Sequence, residues 1–74
     1  MARYDAYAER RQLARELADW RAIGFISTDR AASWTRRARR LGEITGRSFT
    51  QIVEDLSGDV DMIALHGEEV EHGV

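Results

Sequence analysis

The sequence predicts an all-α fold, a compact orthogonal bundle of three main helices followed by a short fourth. Three observations carry that expectation. Apolar residues recur at spacings of three and four over most of the 74 residues, the period of an amphipathic helix. No alternating run of β-branched residues lasts more than a few positions, so strand signals are missing. Glycines at Gly24, Gly46 and Gly58 are each followed within three positions by Ser or Asp, the stop and start marks of successive helices.

From Ala2 to Ala22 the residues Ala6, Tyr7, Leu13, Ala14, Leu17 and Trp20 share one side of a helical wheel, with Asp5, Glu9, Arg11, Arg15, Glu16 and Asp19 pointing away. Tyr4, Tyr7 and Trp20 could form a stacking platform, but Tyr7 and Trp20 share the leucine stripe and are better read as core or core edge. Gly24 closes this helix, and Phe25 and Ile26 cross over to plug the end of the core. Ser27, Thr28 and Asp29 each qualify as the next N-cap.

The second helix places Ala31, Trp34, Thr35, Ala38, Leu41, Gly42 and Thr45 inward. Small residues dominate that face, which allows close approach of a neighbour, while Trp34 and Leu41 supply most of the apolar area. Gly46 then suits a left-handed closing residue, and Ser48 with Gln51 matches a capping box. Phe49, Ile52, Val53 and Leu56 form the inner stripe of the third helix, which Ser57 and Gly58 are expected to end. Asp59 caps the short fourth helix, turning Val60, Ile63 and Ala64 inward. The expected core is Leu13, Leu17, Trp20, Phe25, Trp34, Leu41, Phe49, Ile52, Val53, Leu56 and Ile63.

Size and composition narrow the function classes. The chain is one domain, near the lower limit at which an apolar core offsets ordering entropy. Residues 1–67 are expected to fold, and residues 68–74, acidic and poor in apolar groups, to fray. There is no cysteine and no proline, which excludes a disulfide scaffold and a thiolate metal site. The apolar run ending at Leu65 is far too short for a membrane span or an export signal, so a cytoplasmic setting is expected.

Charge is divided along the chain more sharply than the net value of −2 implies. All eleven basic residues, every one an arginine, lie in residues 1–47 with six acidic ones, a local charge of +5; residues 48–74 carry seven acidic residues and no basic one, −7. Arginine forks suit carboxylates and phosphates alike, and coding bias toward arginine would leave the same composition. Arg36, Arg37, Arg39 and Arg40 crowd the outer side of the second helix. They are either a binding stripe or a solvated face paired with the acidic half.

No residue set is arranged for catalysis, since no nucleophile is paired with a base. His66, Glu69 and His72 are spaced three apart, but Gly67 interrupts them and a structural metal site needs more ligands. Asp59 and Asp61 lack the glycine and distal glutamate of a calcium loop. The expectation is a protein that is no enzyme, with no cofactor, no metal and no small-molecule substrate.

Two resemblances bear on partners. Gly42, Gly46 and Ile52 are spaced as in helix-turn-helix DNA-binding domains, within residues 42–56. The residue after the turn glycine is usually apolar in that family but is Arg47 here, and the stripe moves Phe49 inward, leaving Glu54 and Asp55 facing out. The string Leu41, Ile44-Thr45-Gly46-Arg47-Ser48-Phe49, Ile52, Leu56, Gly58-Asp59 and Ile63-Ala64, within residues 40–65, resembles helical segments of phage tail assembly chaperones. That likeness implies a non-catalytic, phage-related protein that binds other proteins during assembly, although the longer aliphatic helix expected after Leu65 is missing.

The leading expectation is therefore a protein-binding or assembly factor docking a partner or another copy of itself through Arg36, Arg37, Arg39, Arg40, Arg47, Glu54 and Asp55. The alternative is a DNA-binding regulator that uses residues 36–56 as a degenerate helix-turn-helix. Its contacts would be Arg36, Arg40, Arg47, Ser48, Thr50 and Gln51.

Overall fold

A computed structural model describes residues 3–66 of the chain, a set that leaves Glu69, His72 and the expected tail outside it. Three helices of 18 residues each follow one another: α1 (Ala6–Ile23), α2 (Thr28–Thr45) and α3 (Phe49–His66). Each packs on both of the others. The body measures 31 × 29 × 26 Å, against about 27 Å for the length of one such helix.

The ends of the helices follow local chemistry. Asp5 caps α1, its carboxylate accepting the Ala8 N–H at 3.1 Å. The expected helix from Ala2 therefore begins later, because a cap must itself stay non-helical. Gly24 ends α1 with φ 98°, a left-handed conformation that costs a side-chain-bearing residue energy. Of the three cap candidates for α2, Ser27 is used, accepting the Arg30 N–H at 3.2 Å.

The α2–α3 corner is built as a reciprocal set of bonds. Gly46 closes α2 with φ 76°, and the Arg47 N–H reaches back to the Gly42 carbonyl at 2.8 Å. Ser48 Oγ accepts the Gln51 N–H at 3.1 Å while the Ser48 N–H donates to Gln51 Oε1 at 2.9 Å, completing the capping box. Gly42 is needed here for space. A Cβ at that position would stand 2.5 Å from the Arg47 carbonyl oxygen and 3.3 Å from Ile52 Cγ1.

The core joins all three helices: Leu13 and Ala14 from α1, Trp34, Ala38 and Leu41 from α2, and Ile52, Leu56 and Val60 from α3. Leu17, Trp20, Phe49, Val53 and Ile63 pack against its edge. Trp34 is buried, and its indole N–H donates to the Leu13 carbonyl at 3.0 Å. Trp20 meets its ring edge-on, with centroids 5.2 Å apart. Among the described residues, no helix is long and apolar enough to cross a membrane.

Five expectations are corrected. The short fourth helix does not exist as a separate element, because α3 runs through Gly58 to His66. Leu56, Val60 and Ile63 form one unbroken stripe against the core. Burying Val60 is worth about 1.5–3 kcal/mol, more than the roughly 1 kcal/mol that a mid-helix glycine costs. Asp59 is no cap, since its carboxylate takes the Arg10 guanidinium in two bonds of 2.6 and 3.0 Å.

Phe25 is not in the core but 75% exposed. The left-handed turn at Gly24 carries it outward. Tyr7, expected on the inner stripe, is 71% exposed, with the Arg11 guanidinium 5.7 Å from its ring centroid. Thr45, expected to face inward, is exposed and turns its hydroxyl onto the Leu41 carbonyl at 2.7 Å.

Two glycine substitutions are expected to act in opposite directions. Nothing lies within 4 Å of a Cβ built at Gly58, so Gly58→Ala should raise stability by about 0.5–1 kcal/mol, and the melting temperature by several degrees. Gly42→Ala should lower stability by at least about 2 kcal/mol, because the obstructing atom is backbone. Thermal and urea unfolding followed by circular dichroism checks both. Equal effects at the two sites would contradict the packing described.

Candidate functional site

The four arginines of α2 do not form one stripe. A turn of 100° per residue sets Arg36 and Arg40 on the outer side, opposite Trp34, Ala38 and Leu41, and moves Arg37 and Arg39 to the two flanks. Arg37 faces α1. Its guanidinium bonds Glu9 at 2.9 Å and Glu16 at 2.8 Å, two carboxylates two turns apart on one face of α1. The bond to Glu9, more than the opposing loss of solvation, raises the Arg37 pKa above its ordinary value, with Glu16 adding to it. Arg37 therefore holds two helices together and is not presented to a partner.

Arg39 and Arg40 are supported by rings instead of carboxylates. The Arg39 guanidinium lies 4.9 Å from the Phe49 centroid, and that of Arg40 lies 4.8 Å from the Tyr4 centroid. Cation–π contacts of this kind hold a side chain in place while leaving its charge unneutralised. Arg36 is exposed and has no ion-pair partner among the described residues. Beside these cations are Glu43, also exposed, and Ile44, whose side of the helix is shared with Arg40 and which is 50% exposed.

Around the corner, most of the proposed contact residues are already engaged. Arg47 forks onto Asp55 with bonds of 2.7 and 3.2 Å, so these two members of the predicted set neutralise each other. Ser48 and Gln51 bond each other in the cap. Thr50 and Glu54 are exposed on α3. Of the predicted site residues, the structure thus gathers Arg36, Arg39 and Arg40 on one accessible cationic surface. It assigns Arg37, Arg47 and Asp55 to internal pairs.

The division of charge along the chain is partly undone by folding. Arg10 and Arg21 of α1 meet Asp59 and Asp61 of α3, the second pair at 3.3 Å. Two contributors to the cationic surface were not foreseen as such: Ile44 carried no sequence signal as a binding residue, and Tyr4 was read only as part of a stacking platform, not as the ring under Arg40. Tyr4 lies outside any helix, and Ile44 breaks the polar pattern of its face without belonging to the inner stripe. Among the described residues no group of three His, Cys, Asp or Glu side chains is placed to share a metal ion.

No family model matches the chain, and no curated protein or solved structure matches it. The geometry of its surface is therefore what bears on its role.

Tyr4 makes the cationic surface sensitive to alkali. Its hydroxyl is buried without a hydrogen-bond partner among the described residues. Burial first, then the negative charge of Glu9, raises its pKa above the ordinary 10.0, against the opposing pull of Arg40 and Arg37. The folded state thus holds this proton more tightly than the unfolded chain does. Stability is fully kept below pH 10.0 and falls as the pH rises through the folded value. Urea unfolding across that range, with tyrosinate absorbance followed in parallel, should show the fall, and Tyr4→Phe should reduce it. A decline of the same size in the Phe variant would exclude Tyr4 as its source.

Proposed function

We propose that the chain is a small non-catalytic protein-binding or assembly factor that docks an acidic protein partner on the outer face of α2. The observation that carries this reading is the pairing of exposed Ile44 with Arg36, Arg39 and Arg40, cations with no ion-pair partner among the described residues. An apolar anchor beside arginines is the composition of a protein interface. A phosphate-tracking surface gains nothing from an exposed isoleucine. The likeness of residues 40–65 to phage tail assembly chaperone segments agrees with an assembly role at the Thr45-Gly46 corner, though Gly58 does not divide α3 as that pattern would have it.

A second reading, a DNA-binding regulator, is favoured by the corner itself. Gly42 lies close against the Arg47 carbonyl and the Ile52 side chain, and Gly42, Gly46 and Ile52 are the residues whose spacing resembles a helix-turn-helix. Near-equal body dimensions support helices that cross at large angles, the orthogonal arrangement such a corner requires. In this reading Arg36 and Arg40 would contact phosphates and Thr50 would approach the bases, with Arg47, Ser48 and Gln51 free to help only by giving up their present bonds.

The two readings separate by titration with two probes, an acidic peptide containing leucine and a short DNA duplex, each followed by amide chemical shifts. Binding of the peptide with shifts centred on Arg36, Arg40 and Ile44, abolished by Arg36→Glu with Arg40→Glu and weakened by Ile44→Ser, is the expected result. Steeply salt-dependent duplex binding that survives Ile44→Ser would overturn it in favour of DNA.

A further inference from the structure

At the opposite end of the helices, away from the arginine face, a groove of about 610 Å³ opens where α1 passes into α2. Its apolar floor and walls are Trp20, Ile23, Phe25 and Ile26. Phe25 and Ile23 are the most open of these, at 75% and 64% exposed. Ile23 is the last residue of α1, and Phe25 follows Gly24, whose left-handed conformation carries the connector outward. A small domain that leaves its largest connector side chain in water forgoes burial worth about 1.5–3 kcal/mol.

Three charged residues line the groove, of which Glu16 is already paired with Arg37. Asp19 stands on α1 and Arg30 on α2, both exposed. Neither has an ion-pair partner among the described residues. A surface that combines an apolar centre, a protruding side chain beside a recess, and one unpaired acid and base is complementary to itself. Such a patch is what a two-fold interface requires, since each residue contacts its counterpart's neighbour reciprocally.

We infer that this groove is the contact surface of a homodimer, in which Phe25 of each copy enters the groove of the other and Asp19 meets Arg30 twice across the two-fold axis. The Phe25 ring supplies the desolvated centre, and the two ion pairs fix orientation more than affinity. This contact uses none of Arg36, Arg39, Arg40 or Ile44. The dimer therefore presents two α2 outer faces to partners.

Sedimentation equilibrium of the full chain over a wide concentration range tests the inference. A reversible monomer–dimer equilibrium is expected, with Phe25→Glu weakening it by ~30-fold or more. Because Phe25 is exposed, that variant should keep its helical circular dichroism. Asp19→Arg and Arg30→Asp should each weaken the dimer, and the two together should restore it. A monomer at every concentration would overturn the inference, as would a dimer indifferent to Phe25→Glu or a charge swap that fails to restore association. Arg36→Glu with Arg40→Glu should leave the dimer intact, so failure here and failure of the α2 docking surface are read separately.

Discussion

The bond from the Trp34 indole to the Leu13 carbonyl is the point from which the rest of this small body is organised. It lies in the buried centre and joins two helices that share few other polar contacts there. A buried indole N–H left without an acceptor would cost about 1–3 kcal/mol, so the bond fixes how far α2 can rotate and slide on α1. With Trp34 so placed, Ala14 and Ala38 join it in the shared core, and Trp20 meets its ring edge-on. The small residues of α2 then bring α3 close enough for Leu41, Ile52 and Leu56 to interlock.

Electrostatics reinforces that frame from outside the core. Arg37 grips Glu9 and Glu16 on one side of α1, while Arg10 and Arg21 on α1 reach α3. The half-buried Arg37 cluster is shielded from solvent more than the Arg21 pair, which is exposed on both partners and adds little. What remains on the surface after these pairings is a reduced set of charges, with Arg36, Arg39 and Arg40 unneutralised for reasons of position. Their helix faces outward there, and aromatic rings hold Arg39 and Arg40 without discharging them.

Legibility in the sequence followed the range of the interaction concerned. The Gly24 and Gly46 stops, the Ser48–Gln51 box and the inner face of α2 from Trp34 to Gly42 depend on residues within a turn or two, and each was readable from spacing. Gly58 was not, because whether a helix survives a glycine depends on Val60 and Ile63 finding a core supplied by α1 and α2. Phe25 was misplaced for another reason: its apolar character is visible, but the outward direction that the left-handed Gly24 gives the connector is not. Arg37 was grouped with its neighbours although a wheel sets it on a flank, and only the position of α1 shows that Glu9 and Glu16 meet it there. For the site, the cationic helix was legible while the identity of its usable members was not.

The contact at Gly42 has a consequence for how the chain acquires its structure. The Arg47 carbonyl, the Ile52 side chain and the capping pair all lie within about ten residues of Gly42, so closing the α2–α3 corner loses little loop entropy. Docking of α1 spans longer separations, twenty-one residues for Trp34 onto Leu13 and forty-nine for Arg10 onto Asp59. Topology thus favours an order of events in which the corner nucleates and the first-synthesised helix is the last to settle.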